Sequence, residues 1–319
     1  MIVADFRISS SEVRAKSRNI RLGVVGKGNV AEKFIKECRY VNGVTTIHDN
    51  EDFEDLVSRV DAVYIYSHPS KHFYQVKYAL EHKKHVLCEM PLTLSAETSH
   101  ELYKTAETNG CILFLGCKTA YSTAFQRMVL LAMGGVIGDI VSVDSVCTSL
   151  RNADSKGEKN ITDAWNSLND WGPIALLPVF QLLGTDYKKK YIVSRFSDEI
   201  MKLDDFTKCS FVYPSACASI KVGNGAKSEG ELIISGTKGY IYVPAPWWKT
   251  DYFEIRRENS EDTRRYFYQL EGEGIRYEIV AFIKAIQHQR PPTISQEICI
   301  AVSKIMEDFD KSVDLIKLQ

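Results

Sequence analysis

A short apolar strand, a glycine-rich turn and an amphipathic helix follow one another over residues 20–38, and this order constrains the fold more than any other feature. The run IRLGVV predicts a buried parallel strand, and Val30 and Phe34 recur at helical spacing after it. The turn between them reads G-x-G-x-x-A from Gly26 to Ala31. Strand, glycine turn and helix in this order form a dinucleotide-binding fingerprint. The alternative is a tight strand–helix turn that binds no ligand.

The backbone of this turn supplies the expected cofactor contacts. Gly26 would allow the tight turn, and Gly28 would let the backbone approach a pyrophosphate. The N–H groups of the first helical turn, which begins with Asn29 and Val30, would face the phosphates. We therefore expect these four residues to bind the diphosphate of NAD or NADP.

Charge and composition exclude several classes of function. The 319 residues contain 40 Lys and Arg against 41 Asp and Glu, a net charge of -1, so we expect no nucleic acid and no membrane as partner. No apolar run approaches the ~20 residues of a membrane span, and no secretory signal is visible, which favours a cytoplasmic protein. The eight cysteines are scattered without a C-x-x-C pair, so we expect reduced thiols and no metal site.

The secondary-structure pattern changes once along the chain. Up to residue 118, short apolar strands alternate with helices, which predicts a doubly wound parallel sheet. Beyond it, alternating strands such as DIVSVDSVCTSL predict an open antiparallel sheet, followed by helices over residues 277–288 and 296–315. We expect two domains, a dinucleotide-binding domain over residues 1–118 and a substrate and dimerisation domain over residues 119–319. The last helix is expected to pack back on the first domain.

Several segments resemble the glucose-fructose oxidoreductase / inositol dehydrogenase / rhizopine catabolism family, called Gfo/Idh/MocA. They are GVVGKGNVA, VDAVYIYSHPSKHFYQVKYALEHKKHVLCEMPLTLS, GGVIGDIVSV and EGELIISGTKGYIYVPAPWW. The resemblance implies an α/β fold, with a Rossmann-type parallel sheet domain plus an α+β domain whose sheet is open and mostly antiparallel. It also implies NAD(P)-dependent hydride transfer to or from a sugar-like or other small hydroxy or carbonyl compound. The second sheet usually forms a dimer interface, so a homodimer or homotetramer is expected.

The chain departs from the family pattern at the residues that handle protons. The family's E-K-P lysine, which polarises the reacting oxygen, is replaced by Met90. A D-x-x-x-H-like motif follows in a helix, and we aligned its acid with Pro178 and its histidine with Gln181. The chain is then an oxidoreductase with unusual proton handling, like the biliverdin reductase branch, which also lacks the lysine. The alternatives are a non-catalytic NAD(P)- or ligand-sensing protein, as in a yeast galactose-pathway repressor, or a subunit whose active sites lie in another chain.

The resemblance also indicates which side chains replace the missing groups. Lys118 is the nearest candidate for the lost cation, and His72 matches a histidine near the nicotinamide end; the alternatives are a residue that bridges the domains and a helix-surface histidine. Ser67 and His68 end a strand where ligands bind, and Glu89 matches an acid that bonds the nicotinamide ribose. Weaker candidates are two acids in the loop before the altered helix, Asp163 and Asp170.

The acid that binds the adenosine ribose is harder to assign. Asp49 has the expected spacing from Gly28, but its strand, residues 44–47, resembles the family's third strand rather than its second. We therefore consider a circular rearrangement in which residues 2–5 form the second strand, lie beside Ile20–Val25 and present Asp5 to the ribose. The right-handed crossover rule argues against it.

Overall fold

A parallel sheet forms the first half of the molecule. The computed structural model describes residues 19–48, 52–150, 166–200, 202–288 and 290–318. Its first five strands are parallel, in the order β2-β1-β3-β4-β5, and they are β1 (Ile20–Val25), β2 (Val44–Ile47), β3 (Ala62–Ile65), β4 (His85–Glu89) and β5 (Leu113–Gly116). The helices between them are α1 (Asn29–Cys38), α2 (Phe53–Arg59), α3 (His72–Glu81) and α4 (Ala96–Thr108).

Helix α1 lies against this sheet through small and aromatic residues. Ala31 and Phe34 are fully buried on its sheet-facing side, and the Phe34 ring stacks on Tyr64 of β3 with 3.6 Å between ring centroids. The small side chain of Ala31 lets the helix approach the strands closely, as the third position of the glycine fingerprint requires. The packing therefore fixes the N-terminus of α1 above the carboxyl end of β1.

A second, larger sheet follows. It has nine strands in the order β13-β12-β11-β10-β6-β9-β8-β7-β14, mostly antiparallel, with parallel pairing only of β6 with β9 and of β7 with β14 among the described residues. Its strands are β6 (Ile140–Thr148), β7 (Lys189–Asp198), β8 (Leu203–Val212), β9 (Cys217–Gly223), β10 (Leu232–Gly236), β11 (Gly239–Val243), β12 (Tyr252–Arg256), β13 (Arg264–Phe267) and β14 (Leu315–Leu318). The two sheets confirm the expected fold class.

Five helices connect and cover the sheets. They are α5 (Lys118–Tyr121), α6 (Thr123–Met133), α7 (Ser167–Leu183), α8 (Ile275–His288) and α9 (Gln296–Asp310). The apolar helix α7 packs on β6, β8 and β9, and α9 packs on α4 of the first sheet. A hydrogen bond joins Ser99 Oγ of α4 to Ser303 Oγ of α9 over 2.8 Å. No helix in the described part of the chain is long and apolar enough to span a membrane.

The structure corrects two expectations about strand placement. Strand β2 pairs with β1 on one side and β3 pairs with it on the other, so residues 44–47 take the second-strand position and no edge of β1 is left for another strand. The proposed place of residues 2–5 beside Ile20–Val25 is therefore wrong, while Asp5 itself and Asp49 lie outside the described residues. Helix α9 ends at Asp310 rather than at residue 315, because Ser312 and Asp314 adopt positive φ angles and β14 then pairs with β7.

The buried carboxyl of Asp204 makes the stability of this fold depend on pH. Asp204 Oδ1 accepts a hydrogen bond from the backbone N–H of Leu168 over 3.3 Å at the start of α7. Burial raises the pKa of Asp204 to about 6, above the ~3.9 of an unfolded chain. The folded state therefore binds more protons between pH ~4 and ~6, and the free energy of unfolding falls as pH rises through this window.

Between pH ~4 and ~6, we expect the free energy of unfolding of the wild type to fall by about 2 to 3 kcal/mol more than that of Asp204→Asn. Urea unfolding at pH 4, 5, 6 and 7 measures it, with the exposed Asp262→Asn as the control. Wild-type and Asp204→Asn curves of equal slope between pH 4 and 6 would contradict the assignment.

Candidate active site

Two neighbouring cavities lie at the carboxyl edge of the parallel sheet. Ligands bind in α/β proteins at this edge, where the strands end and the loops diverge. The first cavity has a volume of about 480 Å³, and its lining includes Gly26, Lys27, Ser67, His68, Lys71 and Gln75. The second has a volume of about 250 Å³, and its lining includes Glu89, Met90, Lys118, Asp170, Trp171 and Glu278. Tyr66, which follows β3, borders both cavities, so they lie next to each other and we treat them as one candidate site.

The glycine turn at the first cavity depends on glycine for two different reasons. Gly26 has φ +125°, and a Cβ there would lie 1.9 Å from the backbone oxygen of Tyr66. Gly28 has φ +90° and begins α1 as its N-cap, but a Cβ there would meet nothing within 4 Å in the described structure. The first glycine is thus required for packing against β3, whereas the second keeps an open approach to the helix N-terminus.

Polar groups surround this open approach. Lys27 and Lys71 place two cations in the lining. Ser67 Oγ donates to Gln75 Oε1 over 2.6 Å, and the Ser70 N–H donates to His68 Nδ1 over 3.3 Å, which fixes the loop after β3. Helix N-termini and lysine side chains both attract anions. The first cavity therefore has the charge and the backbone geometry that suit a diphosphate.

The second cavity combines two acids with one cation. Glu89 at the end of β4 accepts a hydrogen bond from the Tyr64 hydroxyl over 2.7 Å, and burial raises the pKa of Glu89. Glu278 in the first turn of α8 is 1% exposed, and burial together with the charge of Glu89 raises the pKa of Glu278 far above its usual range. Lys118, the first residue of α5, lies in the same lining. The site can therefore hold a proton on a carboxyl group at neutral pH.

Lys118, the cation of this cavity, forms an ion pair with Glu273, which is not in the cavity's lining in the described structure. Lys118 Nζ donates to Glu273 Oε2 over 3.1 Å, and Lys33 and Lys249 lie 3.5 and 3.3 Å from Glu273 Oε1. The hydrogen bond from Lys118 and the charges of the neighbouring lysines lower the pKa of Glu273 to about 2. Three lysines from three different elements thus share one carboxylate beside the cavity.

Comparison with known proteins agrees with this geometry. Residues 36–117 match the model of GFO_IDH_MocA, described as an oxidoreductase family with an NAD-binding Rossmann fold. This match and the relatives support the resemblance to the Gfo/Idh/MocA oxidoreductase family. It is 26% identical over 255 residues to a protein named D-xylose 1-dehydrogenase (NADP(+)) from Hypocrea jecorina, covering 72% of this chain and 64% of the relative. It is 29% identical over 139 residues to the uncharacterized oxidoreductase YrbE of Bacillus subtilis, covering 43% of this chain and 40% of the relative.

These matches cover less than two thirds of the length of either relative. Among solved structures, the chain is similar to KijD10, described as a 3-ketoreductase from Actinomadura kijaniata in complex with NADP and TDP-benzene. The TM-score is 0.80 at 17% identity, over 95% of this chain and all of that one. At this identity the likeness concerns the fold, and it agrees with the two sheets described above.

The structure gives His72 a different role from the catalytic one expected of it. This side chain is fully buried, and its Nδ1 and Nε2 lie 3.0 Å from the backbone oxygens of Pro91 and Ser67 respectively. Burial lowers the pKa of His72. A neutral ring has one N–H and can donate to only one of these oxygens, but both ring nitrogens face backbone and neither is directed to a substrate. Within the described structure, His72 lines neither cavity.

The residues of α7 that line the second cavity are not the ones to which the family motif was assigned. Pro178 and Gln181 do not line either cavity in the described structure, whereas Asp170, Trp171 and Ile174 line the second one. Asp170 and Ile174 have the D-x-x-x-H spacing of the family motif, with isoleucine in place of histidine. Asp170 Oδ2 accepts a hydrogen bond from Asn224 over 3.2 Å. Asp170 and Ile174 lie about two helical turns before Pro178 and Gln181, the residues to which the sequence comparison assigned the motif.

Most of the remaining candidates border the two cavities. Gly26, Ser67 and His68 line the first cavity, while Val30, Glu89 and Lys118 line the second, and Gly28 is in neither lining in the described structure. Asn29 is exposed at the start of α1, and Asp163 lies outside the described residues. No group of three or more metal-ligating side chains occurs in the part of the chain that the structure describes. Glu278 is the residue that sequence reasoning missed.

Proposed function

We propose that the protein transfers hydride between NAD or NADP and a small hydroxy or carbonyl compound of sugar-like type. The observation that carries this proposal is that the two cavities are adjacent, because a cavity lined by Glu89 and Lys118 then lies beside a glycine turn suited to a diphosphate. The relative named D-xylose 1-dehydrogenase (NADP(+)) supports the substrate class.

The residues present fit a nicotinamide dinucleotide. The open space over Gly28 and the cations Lys27 and Lys71 suit its diphosphate, and the hydroxyl and carboxyl groups of the second cavity suit its ribose and carboxamide. Oε1 of Glu278 is buried without a hydrogen-bond partner among the described residues, as expected of a group that faces a bound ligand. When bound, the reduced cofactor supplies a hydride to the substrate carbon.

The chain's own side chains would then bind and polarise the substrate. Lys118 is the cation of the second cavity, and it would stabilise negative charge that develops on the substrate oxygen. Asp170, held by Asn224, would orient a substrate hydroxyl. Met90 and Ile174 carry no exchangeable proton, so the family's lysine and histidine are replaced while the acid of the motif is retained.

Titration of the purified protein with NADH and NADPH tests the cofactor. Trp171 lines the second cavity, so we expect quenching of its fluorescence and energy transfer to the nicotinamide, with a saturating curve for at least one cofactor. Trp171→Phe should remove most of the transfer and keep the affinity, which a nicotinamide-fluorescence titration measures. Turnover is then assayed with sugars, sugar nucleotides and simple ketones. Binding without turnover across this panel would favour the ligand-sensing alternative, and binding of neither cofactor would contradict the proposal.

We also propose a cytoplasmic homodimer or homotetramer formed through the second sheet. Exposed apolar residues on its strands support this partner, since a second copy would cover them. They are Tyr191, Val212, Phe267, Ile316 and Leu318. Light scattering of the purified protein measures the oligomer, and a monomer at micromolar concentration would contradict it.

A further inference from the structure

The second cavity contains two carboxyl groups that cannot both ionise without cost. Glu89 ends β4 and Glu278 lies in the first turn of α8, and both line the same volume of about 250 Å³. The pKa of each is raised, mainly by burial, and the charge of Glu89 adds to the effect on Glu278. Two carboxyl groups in one poorly hydrated site titrate as a pair, and the pair keeps one proton to a higher pH than an isolated acid.

The hydrogen bonds indicate which member holds that proton. Glu89 accepts from the Tyr64 hydroxyl over 2.7 Å and from the backbone N–H of Met90, so its negative charge is stabilised. Glu278 accepts from the backbone N–H of Cys117, but its Oε1 has no partner in the described structure. A carboxylate oxygen buried without a donor is costly, whereas a carboxylic acid O–H needs an acceptor that a ligand oxygen or Glu89 can provide. The proton is therefore on Glu278 and the charge on Glu89.

Other charged and titratable groups around the pair do not reverse this assignment. Lys118 on α5 favours the ionised form of both acids, but its ammonium already donates to Glu273 over 3.1 Å. Tyr64 on β3 and Tyr121 on α5 stay neutral, because burial raises the pKa of each hydroxyl well above its usual range. The nearby Cys117 thiol stays neutral as well, since burial also raises its pKa.

We propose that the Glu89–Glu278 pair is the proton donor for reduction at this cavity and replaces the family lysine lost at Met90. This inference rests on the proposed function. The carbonyl carbon of the substrate receives hydride from the reduced nicotinamide, and the C=O π electron pair moves onto oxygen. That oxygen takes the proton of the pair, through Glu89 as the more exposed member, so both carboxyl groups end ionised and the product is an alcohol. Water returns the proton to the pair before the next turnover.

The Glu89–Glu278 pair is suited to donate this proton because it lies beside Met90. Met90 follows Glu89 directly and lines the same cavity, but a thioether has no proton to give. General acids contribute roughly 10²- to 10⁴-fold to a rate when their pKa lies near the working pH. Burial and the charge of Glu89 both favour the protonated form of Glu278, so the pair can supply a proton without an additional side chain at position 90.

Infrared spectroscopy at neutral pH tests the shared proton without any turnover. A protonated carboxyl has a C=O stretch that is separate from the bands of ionised carboxylates. We expect one such band in the wild-type protein, its loss in Glu278→Gln, and its retention in the exposed control Glu261→Gln and in Asp204→Asn. Absence of this band from the wild-type protein at pH 7 would overturn the inference, and this measurement needs no variant to fold.

Kinetics then test the role in catalysis. With a carbonyl substrate found in the panel, we expect Glu278→Gln to lower kcat at least ~100-fold and to change the NADPH dissociation constant less than threefold. The wild-type kcat should fall as pH rises through the pKa of the pair, and the variant should lose that dependence. Turnover unchanged in a folded Glu278→Gln protein would overturn only this inference. Wild-type protein that reduces no compound would remove the proposed function and this catalytic role together, even if the infrared band is present.

Discussion

Replacing Gly28 with alanine is expected to remove most of the affinity for NAD(P)H from a protein that still folds. At φ +90° an alanine costs about 1 to 2 kcal/mol of stability, and its Cβ meets no described atom within 4 Å. The new methyl group would instead occupy the open approach that a diphosphate needs. We expect a loss on the order of 100-fold, or about 2.7 kcal/mol of binding free energy, measured by nicotinamide fluorescence together with thermal unfolding.

Two other glycines provide the controls. Gly184, just after α7, has φ +77° and ψ −176° and equally open surroundings, so Gly184→Ala carries the same kind of backbone strain as Gly28→Ala away from the candidate site. It should lower stability similarly and leave cofactor affinity unchanged. Gly26→Ala should fail to fold, because its Cβ would lie 1.9 Å from the Tyr66 oxygen. Wild-type affinity in Gly28→Ala would show that no diphosphate binds at this turn.

Local sequence patterns predicted the helices and strands of the fold well, because buried positions are occupied by apolar residues. Strands covered on both faces are continuous apolar runs, and strands with one open face alternate. The side of β1 on which residues 44–47 pair is not encoded locally, since the same run of four residues suits either edge. For that reason the sequence suggested a missing second strand, whereas the structure shows β2 in that position.

The sequence locates the glycine turn of the candidate site, but it does not show which side of helix α7 faces the cavity. Helix α7 is apolar on nearly all sides, so its periodicity does not distinguish the cavity-facing residues Asp170 and Ile174 from Pro178. Glu278 was overlooked as an ordinary helix acid. A signal did exist, because Ile275, Ile279 and Phe282 place it on the buried face of α8. An acid within an apolar helical stripe deserves a functional hypothesis.

Replacing Lys118 with methionine is expected to abolish turnover and to leave cofactor affinity within a few-fold of wild type. Methionine keeps most of the length of the side chain but removes the only cation lining the second cavity in the described structure. An alkoxide that develops there would lose a charge-assisted hydrogen bond, and such losses lower kcat by about 10²- to 10³-fold. Lys118 is partly exposed, so breaking its ion pair with Glu273 should change stability by less than about 1 kcal/mol.

Lys249→Met is the matched control for this change. Lys249 lies 3.3 Å from the same Glu273 carboxylate but does not line the second cavity in the described structure. If Lys118 acts only by fixing Glu273, the two variants should lose activity to a similar extent. If Lys118 acts on the substrate, Lys249→Met should keep kcat within about threefold while Lys118→Met loses it, since charge stabilisation depends on contact with the reacting oxygen. Unchanged turnover in Lys118→Met would remove this lysine from the mechanism and leave charge on the substrate oxygen to be neutralised by the proton of the Glu89–Glu278 pair alone.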